Sequence, residues 1–253
     1  MNIQSLLAGS STAQSGSGTT ASQAASATST ASPLLAKAEQ RVQSDVDATT
    51  AQLSKFGLLK SALSGGQTAS QALSKLSTTS TAEDVTKALG SFFNTFNASI
   101  GAANTAAGSS GSSVASNSAK RVVSDLKSAL RSDPATSDAM KKLGLTLQSD
   151  GSLVQDAKQF AASLAADPSG TRAALAAIGK KVDATTSKEL ASSGSVGSAL
   201  SGLNQHSTVL SAQQKALKAL EQALTSTTST STSSTNSLLH SGLAAYQANQ
   251  YGF

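Results

Sequence analysis

The chain contains little of what many functional classes of protein require. Among its 253 residues there is no cysteine and no tryptophan, and there are two tyrosines and three prolines. Without cysteine the chain forms no disulfide and offers no thiolate to a metal ion or a substrate. Aromatic residues make up 3% of the chain, so the large side chains that usually dominate a protein core are scarce.

Charged residues are also scarce, at 13% of the chain against roughly a quarter in an average protein. The formal net charge is +5, with Lys and Arg spread singly or in pairs along the chain. Nucleic-acid-binding proteins concentrate basic residues on one face, so the sequence predicts no nucleic-acid binding. Ser and Thr supply about three residues in ten, and long stretches of that composition bury too little apolar area to fold without partners.

No segment has the pattern of a membrane span or of a site for chemistry. The first residues, MNIQSLLAGSSTAQSGSG, have no charged region before their short apolar run, and we expect neither a cleaved signal peptide nor membrane insertion. His206 and His240 have no acidic neighbour at metal-ligand spacing. No glycine cluster forms a phosphate loop with a lysine. The sequence therefore predicts no enzyme, no metal and no cofactor.

Four segments are predicted, and the fold class is mainly α. Long helices would form a coiled coil within one chain or between chains, with one small β-hairpin and disordered termini. The segments are a Ser/Thr/Gly-rich tail (residues 1–32), an N-terminal coiled-coil helix (33–76), a helical block with a hairpin near 143–154 (82–224), and a Ser/Thr linker with an apolar tail (225–253).

The first helix is predicted to start at Ser32, as its cap, with Pro33 in the first turn. Its apolar residues step by three or four positions, which is the narrow stripe of a coiled-coil seam. Gly65–Gly66 is expected to stop or bend it. The seam residues are Leu35, Ala38, Val42, Val46, Leu53, Phe56, Leu59 and Leu63.

The last helix, about residues 196–224, carries a leucine at every seventh position. These are Leu203, Leu210, Leu217 and Leu224. The companion positions of the seam are Ala199, His206, Gln213 and Leu220. We expect this seam to be buried against the first helix or against a neighbouring subunit, with His206 able to make assembly pH-sensitive. The alternative is an ordinary amphipathic helix on a monomer.

The middle of the chain is expected to hold the core and the hairpin. Phe92, Phe93 and Phe96 form the densest aromatic cluster of the sequence, on a helix capped by Thr81. A Gly- and Ser-rich loop is expected from Gly101 to Ser113, followed by a third helix that Asp133–Pro134 ends. Leucines then alternate at 143, 145 and 147 ahead of the turn sequence SDGS. Asp150–Gly151 is predicted to form the tight turn. Asp150, Asp156 and Asp167 are interpreted as turn or capping residues rather than as catalytic acids.

The apolar tail after the Ser/Thr linker has two interpretations. It could be a tethered docking segment, or a frayed tail without a partner. The anchors of the docking interpretation are Leu238, Leu239, Leu243, Tyr246, Tyr251 and Phe253.

Two blocks of the sequence carry an ordered series of short motifs. The first, LLAKAEQRVQSDVDATTAQLSKFGLLKSALSGGQTASQALSKL, contains the stretch LSKFGLLKSALS. The second runs from VTKALGSFFNTFNASIGAAN to Leu224, and its matching positions are Phe92, Phe93, Phe96, Asn97, Leu143, Gly144, Leu145, Asp150, Gly151, Ser152, Leu153, Asp156, Leu164, Asp167 and Pro168. In order and spacing the two blocks resemble the N-terminal and C-terminal blocks of the flagellar filament-capping proteins, also called hook-associated protein 2.

This resemblance implies a short form of the family. Its members carry large β-rich head domains between the two blocks, whereas here the linker STTST separates them. The resemblance further implies an extracellular location on the bacterial flagellum, and export without a cleaved signal peptide. The implied partners are other copies of the chain, flagellin or hook-junction proteins, and an export chaperone. The alternative is an intracellular helical binding protein of phasin or chaperone type.

Overall fold

A computed structural model describes the backbone of residues 20–108, 111–131 and 133–227, and the side chains between residues 33 and 224 within those ranges. The predicted fold class is confirmed, because helices dominate the described chain and one small hairpin interrupts them. The elements are α1 (Thr20–Ser74), α2 (Ala82–Ala107), α3 (Ser113–Arg131), α4 (Pro134–Lys142), β1 (Leu145–Leu147), β2 (Leu153–Gln155), α5 (Ala157–Ala166), α6 (Pro168–Leu190) and α7 (Ser195–Thr227).

The chain divides into two units. One comprises residues 42–212 and contains all of α2 to α6. The other comprises residues 1–41 and 213–253, of which the structure describes the first part of α1 and the last part of α7.

Helix α1 is longer than predicted at its start and passes through its expected break. It begins at Thr20, so that Pro33 lies inside the helix rather than in its first turn. Alanine, the best helix former, recurs through this stretch. The helix also continues through Gly65–Gly66. A Cβ on Gly66 would lie 3.1 Å from the Ser99 hydroxyl, so this glycine permits close packing against α2.

Helix α2 starts as predicted and ends later. The Thr81 hydroxyl accepts a hydrogen bond from the Asp84 amide (3.1 Å), and the Asp84 carboxylate accepts one from the Thr81 amide (3.0 Å). This reciprocal capping box holds the first turn. The helix extends to Ala107, although a loop is expected from Gly101. Buried Ala103 and Ala106 continue its apolar face, which explains the extension.

The Asp-Pro pair that is expected to end the third helix instead begins α4, a helix that the sequence does not predict. Helix α3 ends at Arg131. Asp133 then accepts a hydrogen bond from the Ala135 amide (3.2 Å), with Pro134 in the first turn. Asp167–Pro168 begins α6 in the same way, with the Asp167 carboxylate accepting from the Gly170 amide (2.8 Å). Proline suits a first turn because its missing N–H has no partner there.

The hairpin forms where it is predicted. Strands β1 and β2 pair in antiparallel register, with Leu147 opposite Leu153. The Gly151 amide donates to the Gln148 carbonyl (3.1 Å), and Gly151 adopts a φ of 95°. Glycine takes that left-handed conformation without a Cβ clash. The Asp150 carboxylate accepts from the Ser152 amide (2.9 Å) and hydroxyl (2.7 Å), which makes it a turn residue as expected.

The main core lies within the unit formed by residues 42–212. Phe92 and Phe96 are buried with their ring centroids 5.7 Å apart, and Phe93 is partly buried against the same cluster. The predicted aromatic core is thus confirmed. Apolar residues from α1, α3, α6 and both strands join it, including Phe56, Leu63, Leu126, Leu130, Leu145, Leu153, Leu175 and Ile178.

Candidate functional site

The leucine seam of α7 is buried within a single chain. Leu203, Leu210 and Leu217 are 3%, 2% and 7% exposed, and Leu224 is half-buried. Other parts of the same chain therefore cover the first three leucines. Of the two predicted modes of burial, the structure gives the intramolecular one at these positions.

His206 does not lie in the buried seam. Its side chain is exposed, whereas Gln213, one heptad later at the same predicted position, is buried. His206, predicted as a companion position of the seam, is therefore not part of the stripe that the chain itself buries. Leu203 and Leu210 lie one heptad apart on the buried face of α7, and His206, between them in sequence, lies on an exposed position of the helix.

The predicted seam of α1 is buried at four of its eight positions and half-buried at the other four. The buried residues are Val42, Phe56, Leu59 and Leu63. The half-buried residues are Leu35, Ala38, Val46 and Leu53. The stripe also includes Gln52, a buried residue that sequence reasoning missed because its side chain is polar.

Gln52 of α1 hydrogen-bonds to the backbone of the connection between α2 and α3. Its amide oxygen accepts from the Ser112 amide (3.1 Å), and its amide nitrogen donates to the Ser112 carbonyl (3.4 Å). Gly111 lies against the same side-chain amide with a φ of 134°. A Cβ there would come within 2.8 Å of the Gln52 side chain, so the buried amide and the glycine fit together as a pair.

Strand β2 is held to α2 by one asparagine. Asn97 accepts a hydrogen bond from the Leu153 amide (2.7 Å) and donates one to the Leu153 carbonyl (3.0 Å). Its side-chain amide thereby bonds to the strand as a neighbouring strand's backbone would. Because strands of three residues are too short to be stable alone, this pair of bonds fixes the hairpin on the core.

Two basic side chains of α3 bind the other side of the hairpin. Lys127 donates to the Ser149 carbonyl (2.8 Å), and Arg131 donates to the Leu147 carbonyl (3.1 Å). Hydrogen bonds from charged donors are stronger than those between neutral groups. We call Asn97, Lys127 and Arg131 the hairpin anchor.

A second set of bonds closes the base of the hairpin and joins it to α5. The Asp156 amide donates to the Gly144 carbonyl (2.8 Å), and the Asp156 carboxylate caps α5 through the Lys158 and Gln159 amides. Gly144 has a φ of 71°, and a Cβ on it would lie 3.0 Å from the Asp156 carbonyl oxygen. The hairpin is thus held by side chains of α2 and α3 along its strands and by Asp156 at its base.

A basic groove runs along α3 beside the hairpin. It has a volume of about 390 Å³ and is lined by Lys120, Val123, Ser124, Lys127, Ser128 and Arg131. Among the residues that the structure describes, no acidic side chain lines it. The groove therefore presents positive charge, although Lys127 and Arg131 already bind hairpin carbonyls.

The predicted docking anchors of the C-terminal tail fall outside the described residues. The tail anchors Leu238, Leu239, Leu243, Tyr246, Tyr251 and Phe253 lie beyond residue 227, outside the described part of the chain. Within the described ranges, no cluster of three His, Asp or Glu side chains could hold a metal ion. The described helices include none with the length and apolar character needed to cross a bilayer.

Comparisons with known proteins find no match to this chain. No protein-family model, no curated protein and no solved structure matches this chain. Any functional conclusion therefore depends on the chain's own residues and on the resemblance described above.

Proposed function

We propose that the chain is a structural component of a bacterial flagellum, similar to a filament cap, that is exported and acts through helical assembly with itself and with axial proteins such as flagellin. The observation that carries the proposal is the hairpin anchor. Asn97, a position of the family resemblance, bonds both polar backbone groups of Leu153, another such position.

Further positions of the resemblance have structural roles around the same hairpin. Gly144 and Gly151 take the left-handed conformation at its two ends. Asp156 and Asp167 cap the two helices that follow. The motifs therefore act together in one structural region, as expected of a module retained by a family rather than of scattered coincidences.

Self-association is part of the proposal and would use surfaces other than the leucine seam of α7, because that seam is covered within one chain. Several large apolar side chains remain exposed in the unit formed by residues 42–212. Leu58 on α1, Val114 on α3 and Val154 on β2 are 64%, 71% and 48% exposed. Such side chains are available to partner molecules of the same or another kind.

The deciding experiment is to follow the protein by antiserum in a flagellated host. Culture supernatant, sheared filaments and cells are compared between a wild type and a strain that lacks flagellar type III export. Flagellin serves as the positive control and a cytoplasmic enzyme as the control for lysis. Export-dependent appearance on filaments is the expected result.

Retention inside the cells of both strains would contradict the proposal. The phasin-like or chaperone-like alternative would then stand, since helices with exposed apolar side chains also suit binding to intracellular surfaces. Binding of the purified protein to apolar granules, compared with its binding to flagellin filaments, would separate these two functions directly.

A further inference from the structure

A buried carboxyl group lies beneath the turn that joins α6 to α7. The side chain of Glu189 is 1% exposed, and its Oε2 atom has no hydrogen-bond partner. Charged carboxylates are almost never fully buried without a partner, because removing the charge from water is costly. Neither the capping bonds nor the hairpin anchor uses this group.

The surroundings of Glu189 contain a second carboxyl group. Asp125 on α3, a helix that packs against α6, interacts with Glu189. Lys188 of α6 lies 3.5 Å from the Asp125 carboxylate and is largely exposed. The Ser195 hydroxyl faces Glu189 from the start of α7. On the α1 side, the polar contact near this end of α6 is uncharged, since Gln67 donates to the Ser187 hydroxyl (2.7 Å).

These surroundings favour a protonated Glu189. Burial is the main cause that raises the pKa of Glu189, and the neighbouring Asp125 raises it further, while Ser195 and Lys188 partly oppose the change. A carboxylate beside a buried carboxyl disfavours the charged form of the buried group. The proton is therefore assigned to Glu189, whereas the Asp125 side chain is 37% exposed and lies 3.5 Å from the Lys188 ammonium.

The turn above Glu189 has little room to adjust. Residues 191–194 connect the two helices through hydrogen bonds from the Ala191 amide to the Ser187 carbonyl (3.1 Å) and from the Gly194 amide to the Ala191 carbonyl (2.9 Å). A Cβ on Gly194 would clash with the carbonyl oxygens of Lys188 and Glu189. Backbone atoms of the turn thus lie directly against the segment that carries the buried carboxyl.

We propose that the buried Glu189 holds a proton beneath the α6–α7 turn, and that loss of this proton as pH rises loosens the turn and the first residues of α7. An ionised Glu189 needs water, and the segment packed against it includes Ser195, whose hydroxyl faces the carboxyl, and Gly194, which lies against the Glu189 carbonyl oxygen. The residues that would be uncovered are apolar and now buried, namely Val196, Ala199 and Leu203. Glu189 would thus act as a pH-controlled latch over an apolar surface.

The sign of the pH dependence follows from linkage. A carboxyl whose pKa is higher in the folded than in the unfolded protein stabilises the fold below its unfolded value. That stabilisation is lost as pH rises from 4.5, the usual pKa of glutamate, through the pKa of the folded state. Between these two pKa values, each rise of one pH unit changes the unfolding equilibrium constant by about tenfold.

The test compares wild type with Glu189→Gln, which keeps the shape and removes the titration. Glu83→Gln, a change at an exposed glutamate on α2, is the matched control. Unfolding is measured from pH 4 to pH 8. We expect wild type and the control to lose stability relative to Glu189→Gln as pH rises. Equal pH slopes in all three proteins, or a Glu189→Gln protein less stable than wild type at pH 7, would overturn the proposal.

Two further readouts keep the proposal testable if Glu189→Gln folds poorly. In wild type, the carboxyl carbon of Glu189 should titrate by NMR with a midpoint above 4.5, and Asp125→Asn should move that midpoint downward. Hydrogen exchange of the Ala191, Gly194 and Ser198 amides should accelerate with pH beyond its intrinsic rate, while the Leu153 amide should not. A midpoint at or below 4.5, or equal acceleration at Leu153, contradicts the latch.

Discussion

The hairpin region and the leucine seam of α7 are stabilised in different ways. The hairpin has two strands of three residues, and named polar side chains from α2 and α3 bind its backbone. The seam instead buries one leucine per heptad on a long helix, whose backbone groups bond to one another within the helix except at its ends. A short strand pair needs outside partners for its polar groups, whereas a helix needs only an apolar stripe to be covered. The first region should therefore depend on individual hydrogen bonds and the second on buried volume.

The largest expected effect lies in the seam. Leu203→Ala removes a side chain that is 3% exposed and should lower the free energy of unfolding by about 2–5 kcal/mol, because it loses burial and leaves a cavity. His206→Ala, one turn away on an exposed position, should change it by less than about 0.5 kcal/mol. Chemical denaturation of both variants measures the contrast. Equal losses would mean that His206 belongs to the buried seam after all.

Close packing between α1 and α6 offers the next test. Gly179→Ala would place a Cβ 2.6 Å from the Ser70 carbonyl oxygen and 2.7 Å from the Ser74 amide nitrogen. Backbone atoms cannot yield as side chains do, so we expect a loss of about 1–3 kcal/mol from overpacking. Gly101→Ala, where a Cβ meets nothing within 4 Å, should instead stabilise by about 0.5–1 kcal/mol because alanine favours helix. Thermal unfolding distinguishes the two signs, and a stabilising Gly179→Ala would show that these helices can separate.

Removing Asn97 from the hairpin anchor is expected to destabilise the hairpin locally. Asn97→Ala leaves both polar backbone groups of Leu153 without their side-chain partner, which should cost about 1–3 kcal/mol and speed hydrogen exchange at the Leu153 amide. Asn94→Ala, on an exposed position of the same helix, is the control and should do neither. If Asn97→Ala leaves exchange at Leu153 unchanged, the hairpin is held by apolar packing and the contrast with the seam disappears.

The smallest expected effect concerns acid stability at the start of α4. A hydrogen-bonded ion pair with Lys181 (2.6 Å), helped by a bond from the Thr136 hydroxyl, lowers the pKa of Asp133 from 3.8 to about 2. A lowered pKa stabilises the fold above 3.8, and this contribution is lost as pH falls from 3.8 through about 2.

Asp133→Asn keeps a good capping residue and removes the charge. It should therefore flatten the fall in stability in this acid window, as measured by unfolding between about pH 2 and pH 5. Asp138→Asn, within the same helix and exposed, should leave that fall in place. An unchanged acid dependence in Asp133→Asn would show that the ion pair with Lys181 contributes nothing measurable.

Local sequence signals determined much of the secondary structure. Three features could be predicted because each depends on residues within a few positions of one another. They are the cap at Thr81, the turn at Asp150–Gly151 and the heptad leucines of α7. The start of α4 was not predicted, because an Asp-Pro pair can either follow the end of one helix or cap the start of the next. The dipeptide Asp133–Pro134 does not by itself distinguish these two positions. Pro33 was misplaced for a related reason, since a proline that suits a first turn can also lie within a longer helix.

Pairings over long distances along the chain were decided only by the tertiary structure. Asn97 and Leu153 are 56 residues apart, and Gln52 and Ser112 are 60 apart, so no local pattern could join them. The same holds for the closeness of Asp125 and Glu189, and for the outward orientation of His206, which depends on what covers its neighbours. Sequence by itself determined which segments become helix or hairpin through short-range hydrogen bonds and apolar spacing. Only the packed fold decided which polar side chains are buried and what each one binds, because burial is set by residues distant in the chain.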